Sequence, residues 1–234
     1  MSFYTQFAET YEAIFPYSEA VFSFLRQHLP GPPARVLDVG CGTGHYSGAL
    51  VAKGYNTTGI DLDPAMIAYA QEHYPAAAFH VMNMLDIAEL GRTFDGVACI
   101  GNTAAHLTQA EFAGFVETVR GATALGGPWV LQVMNWDYVL TREVVTFPVV
   151  EGESDAVFHR AYRDITESRV TFATRLEIAG LVIFEDAVPL YPMRSAEIIA
   201  LHEATGFRLV THVGGYGGAA FDPEVFSASL FVFR

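Results

Sequence analysis

Arg35-Val36-Leu37-Asp38-Val39-Gly40-Cys41-Gly42-Thr43-Gly44 is the stretch around which this 234-residue chain is organised. Its apolar run, broken only by Asp38 and bounded by Pro32-Pro33 before and glycines after, predicts a buried parallel strand. Gly40, Gly42 and Gly44 stand at alternate positions, where the backbone can take positive φ and a ligand can approach without meeting a Cβ. Beyond them Tyr46, Ala49, Leu50 and Ala52 have helical spacing. The unit is therefore strand, glycine turn, helix, with N–H groups free for a ligand at the helix start.

A dinucleotide fingerprint spaces its glycines G-x-G-x-x-G and places an acid about 20 residues on. Here the spacing is G-x-G-x-G, which argues against a loop shaped around a pyrophosphate. The downstream acid is Asp61, at the end of a second predicted strand from Tyr55 to Ile60. A carboxylate there accepts both hydroxyls of an adenosine-type ribose.

Val36-Leu37-Asp38-Val39-Gly40-Cys41-Gly42-Thr43-Gly44, followed by Gly59-Ile60-Asp61-Leu62-Asp63-Pro64-Ala65-Met66-Ile67, resembles the class I S-adenosylmethionine (SAM)-dependent methyltransferases. That resemblance implies a Rossmann-like α/β fold, a mostly parallel seven-stranded sheet with helices on both faces and a terminal antiparallel hairpin. It also implies SAM as cofactor. Asp38, Gly40, Cys41, Gly42, Thr43 and Gly44 would hold it at the turn, Asp61 and Leu62 after the second strand, and Met66 near the adenine.

The composition bounds the partners. Thirteen basic against 26 acidic residues give a formal net charge of -13, which works against phosphate backbones and anionic lipid. No nucleic-acid or membrane partner is expected. There is no apolar run long enough to cross a bilayer, and Met1-Ser2-Phe3-Tyr4 lacks the basic and apolar regions of a leader, so a soluble, cytoplasmic protein is expected. Cys41 and Cys99 are too few for a disulfide framework or a Cys-rich metal site, and no metal is expected.

Before the first strand, Val21, Phe22, Phe24, Leu25 and Leu29 predict one helical face over 18–29. The earlier segment Thr10-Tyr11-Glu12-Ala13-Ile14-Phe15-Pro16 resembles the N-terminal lid of small-molecule methyltransferases, which makes Tyr11 a cofactor- and substrate-facing residue. The competing role for its aromatics is to fill a groove. After Asp61 a helix runs from Pro64 to about Tyr74, with Asp63 as its N-cap. A third strand, Ala78 to Asn83, leads into Asn83, Met84 and Leu85, which the resemblance makes cofactor contacts. Relatives carry an acid on the adenine amine at Asn83; an asparagine carbonyl can accept the same bond.

A fourth strand, Phe94 to Ile100, ends in Gly101-Asn102-Thr103-Ala104-Ala105-His106-Leu107. This segment resembles the Gly-Asn-Ser/Thr-x-x-His-Leu stretch of the glycine and sarcosine N-methyltransferase group. Ligands of open α/β sheets bind beyond the carboxyl ends of the strands. With the fold the resemblance implies, Ile100, Gly101 and Asn102 are expected as cofactor contacts, and Asn102 and His106 as substrate contacts. His106 is either a general base or a hydrogen-bonded structural residue.

A helix over 111–124 and a fifth strand, Trp129 to Met134, follow. Gln132 and Asn135 either orient a polar substrate or satisfy strand-edge backbone. Residues 139–190 then break the βα rhythm with period-two alternation, predicting an antiparallel insertion of three or four strands between the two parts, 1–138 and 191–234, of the main domain. Its Arg142, Arg160, Arg163, Arg169 and Arg175 suit a cap that meets a carboxylate or phosphate of the substrate, or a sheet that makes a homodimer with arginines on a solvated face. A helix over 194–206 and strands over 207–213 and 226–233 close the chain.

The resemblance implies methyl transfer from SAM to N or O of a small polar molecule. Two other classes stand beside it. A nicotinamide oxidoreductase shares the first strand and the acid but not the glycine spacing. A noncatalytic SAM-binding or assembly protein keeps the glycines and Asp61 without an enclosed pocket. Convergence of Asn102, His106 and Asn135 beside the glycine turn separates the enzyme from the binding module.

Overall fold

The structure, a computed structural model, describes residues 11–12, 14–151 and 155–234. Its elements are α1 (Glu19–His28), β1 (Arg35–Val39), α2 (His45–Ala52), β2 (Asn56–Asp61), α3 (Pro64–His73), β3 (Ala78–Val81), β4 (Gly96–Cys99), α4 (Gln109–Ala122) and β5 (Trp129–Met134). There follow α5 (Trp136–Val139), β6 (Val145–Thr146), β7 (Val150–Glu151), β8 (Ala156–Arg163), β9 (Val170–Ile178), β10 (Leu181–Leu190), α6 (Ser195–Ala204), β11 (Leu209–Val213) and β12 (Ala228–Phe233). Short 3-10 turns cover Met84–Leu90 and Thr103–His106.

β1 lies inside a seven-stranded sheet ordered β11-β12-β5-β4-β1-β2-β3, between β4 and β2. The first five strands are parallel, and β12 runs antiparallel to both β5 and β11. This is the architecture expected. Alternation along the strands divides the core into two layers. Val36, Val130 and Leu230 face the Phe22, Phe24 and Leu25 stripe of α1. Leu37, Val97 and Leu131 face Phe112, Phe115 and Val119 of α4. Phe115 alone, fully buried, stabilises this layer by roughly 2–3 kcal/mol.

Helix starts follow local chemistry. Asp63 accepts from the amides of Ala65 and Met66 at 2.8 and 3.3 Å, with Pro64 in the first turn where no N–H is needed. α4 begins two residues before the expected Glu111, because Thr108 and Glu111 form a reciprocal capping box. β3 stops at Val81 instead of Asn83, whose side chain caps the 3-10 turn that follows.

The insertion forms a separate antiparallel sheet, β10-β9-β8-β6, with β7 also paired to β8. It has five strands where alternation predicted three or four. The two-residue β6 and β7 are too short to display a period. Register puts Phe158, Arg160 and Tyr162 of β8 opposite Leu176, Thr174 and Phe172 of β9, all on one face. Tyr162, Val170 and Leu190 join the buried cluster that also contains Cys99, Leu131 and Trp136, so this sheet packs directly on the main one.

Candidate functional site

Parallel register brings the carboxyl ends of four strands into one row. Val39 lies opposite Ile60 and Cys99, and Asp61 opposite Val81. The glycine turn, Asp61-Leu62, the segment from Asn83 to Leu85 and the segment from Ile100 to His106 therefore share one edge of the sheet.

Backbone hydrogen bonds fasten the glycine turn to β2. The amides of Gly40 and Cys41 both donate to the Ile60 carbonyl, at 2.8 and 2.9 Å, and Gly42 N–H donates to Asp61 Oδ2 at 2.9 Å. Gly44 N–H turns back to the Cys41 carbonyl at 3.0 Å. Four amides of the turn itself are thus committed within the protein. At Gly40 (φ 70) a Cβ would lie 2.3 Å from Thr103 Cγ2, so glycine lets the turn after β4 close on the turn after β1. At Gly42 (φ 53) a Cβ would meet nothing nearer than the Tyr11 ring at 3.7 Å. The Tyr11 ring thus lies directly over the Gly42 backbone, at a distance a single Cβ would fill.

Asp61 receives the amides of Gly42 on Oδ2 and of Asp63 on Oδ1, at 2.9 and 3.0 Å. Burial raises its pKa, against the pull of those two bonds. Each oxygen retains a lone pair for a ribose hydroxyl. Leu62 stands 68% exposed beside it, an apolar surface at the same end of the row. Asp38 is buried beneath the turn, where it accepts Ser47 Oγ at 2.7 Å, and burial pushes its pKa up to about 6. Burial also holds the Cys41 thiol protonated. Asn83 Oδ1 accepts the Leu85 amide at 3.0 Å, which leaves one lone pair for an adenine amine.

After β4, Gly101 and Asn102 both take positive φ, and Gln132 holds them there: its Oε1 accepts their amides at 2.6 and 3.2 Å. Asn102 Oδ1 accepts Met134 N–H at 2.8 Å, and its Nδ2 donates to the Tyr162 hydroxyl at 3.3 Å. Tyr162 in turn stacks on Trp136 at 5.5 Å. One asparagine therefore ties β4, β5 and the inserted sheet together. His106, half-buried at the end of the 3-10 turn, has its pKa lowered by desolvation. It is neutral at pH 7 and able to accept a proton.

Tyr11 belongs to an aromatic run that reaches the inserted sheet, with Tyr11–Phe15 at 5.0 Å and Phe15–Phe158 at 6.2 Å. Glu12 anchors the same segment, accepting the Tyr74 hydroxyl at 3.3 Å. Met1 to Thr10 and Ala13 lie outside the described residues, so the leader reading and part of the lid fall there.

Three expected site residues are placed elsewhere. Met66 is 1% exposed and packs as core, offering no surface to an adenine. The Thr43 side chain is fully buried under the turn, with a hydroxyl that finds no partner. Asn135 is fully buried too: its Nδ2 donates to the carbonyls of Pro223 and Phe226 at 2.8 Å each, and its Oδ1 accepts Tyr138 N–H at 3.1 Å. No donor remains for a substrate, so of the two roles open to Asn135 it has the backbone-satisfying one. Asn135 therefore has no free donor to present beside Asn102, which is bonded to the neighbouring Met134 amide. Gln132 likewise serves backbone. Tyr162 is the site residue that sequence reasoning missed; strand alternation placed it, but nothing local says which face of the inserted sheet turns inward. Among the described residues no group of three His, Cys, Asp or Glu gathers to hold a metal, and no helix is long and apolar enough to cross a membrane.

A family model described as a methyltransferase domain matches residues 36–127. Glycine N-methyltransferase from Oryctolagus cuniculus is 32% identical over 144 residues, covering 53% of this chain and 48% of the relative. The chain thus spans about half the length of the curated glycine N-methyltransferases it matches. A dTDP-3-amino-3,6-dideoxy-alpha-D-glucopyranose N,N-dimethyltransferase from Streptomyces fradiae is 30% identical over 165 residues, covering 70% of this chain and 62% of the relative. Among solved structures, SAM-bound CalS10, an amino pentose methyltransferase from Micromonospora echinaspora, is 26% identical with a TM-score of 0.72, covering 100% of this chain and 98% of that one.

Proposed function

Since the chain belongs to the class I SAM-dependent methyltransferases, we propose that it methylates the amine nitrogen of a small hydrophilic acceptor enclosed beneath residues 139–190. One observation carries this reading. The Asn102 amide reaches the Tyr162 hydroxyl at 3.3 Å, so the inserted sheet closes over the carboxyl end of β4, opposite the glycine turn. The outward side of that sheet bears Arg175 2.7 Å from Glu177, with His159 at 4.0 Å, a solvated charged surface that suits a cap better than a dimer interface. Nitrogen is favoured over oxygen because the relatives named above act on glycine or amino sugars.

SAM, when bound, supplies a methyl already activated on a sulfonium. The protein's part is to hold, orient and exclude water. Asp61 takes the ribose hydroxyls, the backbone at Gly42 lets the cofactor chain approach, and Asn83 receives the adenine amine. Tyr11 covers the turn. Asn102 and Tyr162 orient the acceptor. An alkyl amine arrives largely as an ammonium at neutral pH and has no lone pair until it loses a proton. His106 is the candidate to take that proton on a ring nitrogen and release it to water, although burial disfavours its charged form.

A binding module without catalysis is the second reading, favoured by the withdrawal of Asn135 from the site. Calorimetric titration with SAM and NAD, followed by a mass-spectrometric screen of paired amines and alcohols, separates the possibilities. The expected result is micromolar SAM affinity, silence toward NAD and transfer to amines. NAD binding overturns the cofactor assignment; SAM binding without transfer to any acceptor selects the binding module.

A further inference from the structure

The five arginines of the inserted sheet and its flanks divide by environment. Arg142, Arg163, Arg169 and Arg175 are exposed, and only Arg160 is withdrawn from solvent. Strand alternation sets Arg160 on the same face of β8 as Phe158 and Tyr162. The Tyr162 end of that face meets Asn102 and Trp136, and the Phe158 end meets Phe15, which packs on Tyr11. Arg160 lies between them, in the roof over the proposed acceptor space.

Its surroundings are unusual for a cation. The guanidinium carbon lies 5.3, 5.4 and 5.9 Å from the ring centroids of Phe15, Phe147 and Phe158. Nη2 makes one hydrogen bond, to the Pro148 carbonyl at 3.3 Å, and Nε is buried with no partner. The arginine ion pairs among the described residues engage Arg35, Arg175 and Arg194, not Arg160. Asp186 shares the face two strands away, but its Oδ1 accepts the Ala187 amide. Burial lowers the Arg160 pKa, yet a guanidinium remains charged at any physiological pH.

A buried, unpaired N–H and a partly desolvated charge both destabilise the folded state. Three aromatic rings offset part of that cost and hold the planar group in one orientation. They leave its hydrogen-bonding fork without an anion, and the forked geometry matches a carboxylate or phosphate. In a chain of net charge -13, such an inward cation is the exception. We infer that Arg160 is the anion-binding residue of the acceptor site, and that the acceptor is an amine carrying a carboxylate or a phosphate group. The inference rests on residues 139–190 forming the acceptor cap.

The test uses protein loaded with S-adenosylhomocysteine, titrated calorimetrically with acetate and, separately, with inorganic phosphate. At least one anion binds the wild type, and the stronger of the two identifies the source as carboxylate or phosphate. Arg160→Gln weakens that binding at least about tenfold, and Arg160→Lys, which keeps the charge without the fork, weakens it less. Both variants keep SAM affinity within about twofold. In the amine screen, anionic amines exceed their uncharged counterparts at least about tenfold in kcat/KM, and Arg160→Gln removes the preference. Neither anion binding to the wild type, or equal binding to wild type and Arg160→Lys and Arg160→Gln, overturns the inference. Should Arg160→Gln fail to fold, undiminished binding to Arg160→Lys together with no preference for anionic amines overturns it. Loss of SAM binding in the wild type is a separate result, and it overturns the cofactor assignment instead.

Discussion

Gly40 and Cys41 hang from the Ile60 carbonyl by their amides, and the amides of Gly101 and Asn102 hang from a single Gln132 side-chain oxygen, so the edge that carries the glycine turn is positioned through its own backbone amides. The inner face of the inserted sheet is positioned by side chains: Tyr162 against Trp136 and Asn102, Arg160 among three phenylalanines. A backbone-built site needs glycines and one or two fixed acids and tolerates change around them. A side-chain-built face changes its ligand with each substitution. Under the proposed function, the first region would bind the cofactor and the second would choose the acceptor.

The sharpest way to break this division starts where the two regions meet. Asn135→Ala strands three buried backbone partners and is expected to lower unfolding stability by roughly 4 kcal/mol, read by urea denaturation. If instead it leaves stability intact and raises the KM of an acceptor, Asn135 is a substrate residue after all. Asp38 tests the cofactor side through pH. Its folded pKa of about 6 lies above its unfolded value of 3.8, so its contribution is fully present below pH 3.8 and is lost as pH rises through 6. That contribution amounts to about 3 kcal/mol. Wild type should therefore lose stability relative to Asp38→Asn as pH goes from 3.5 to 7, measured as the difference between denaturation midpoints at the ends of that range. A difference independent of pH would mean that the charge is not desolvated.

Asp61→Ala removes both ribose contacts at one stroke and should weaken SAM binding by about 2 kcal/mol, a change calorimetry resolves. Unchanged affinity would reject the ribose site. Tyr162→Phe deletes only the hydroxyl that meets Asn102; an effect of about 1 kcal/mol on acceptor kcat/KM, with SAM affinity unaltered, would confine Tyr162 to the acceptor side. Arg175→Ala, on the solvated side of the inserted sheet, should shift stability by less than about 0.5 kcal/mol and leave the molecule's sedimentation unchanged. A change in oligomeric state would return the homodimer reading.

The cofactor edge was legible because each of its signals is local. A glycine required by positive φ, an acid closing a strand, and Asp63 with Pro64 opening a helix all act within a few residues. Reading failed where a local signal served two purposes. Met66 and Asn135 stand at positions that face a ligand in an idealised βα unit, yet one is core and the other caps a turn with the help of Pro223 and Phe226, almost ninety residues away. The five-stranded count of the insertion escaped because β6 and β7 exist only by pairing with β8.

The sequence by itself determined the order of the parallel sheet's strands and helices, the glycine turn, Asp61 and the existence of an antiparallel insertion, because periodicity and backbone conformation are written into neighbouring residues. Only the tertiary structure decided which face of that insertion turns inward. Alternation offers two equivalent faces, and the choice between them depends on what the sheet packs against: Trp136, Asn102 and Phe15 select the face of Tyr162, Phe158 and Arg160. Four of the five arginines were thereby left in solvent and one was partly withdrawn from it.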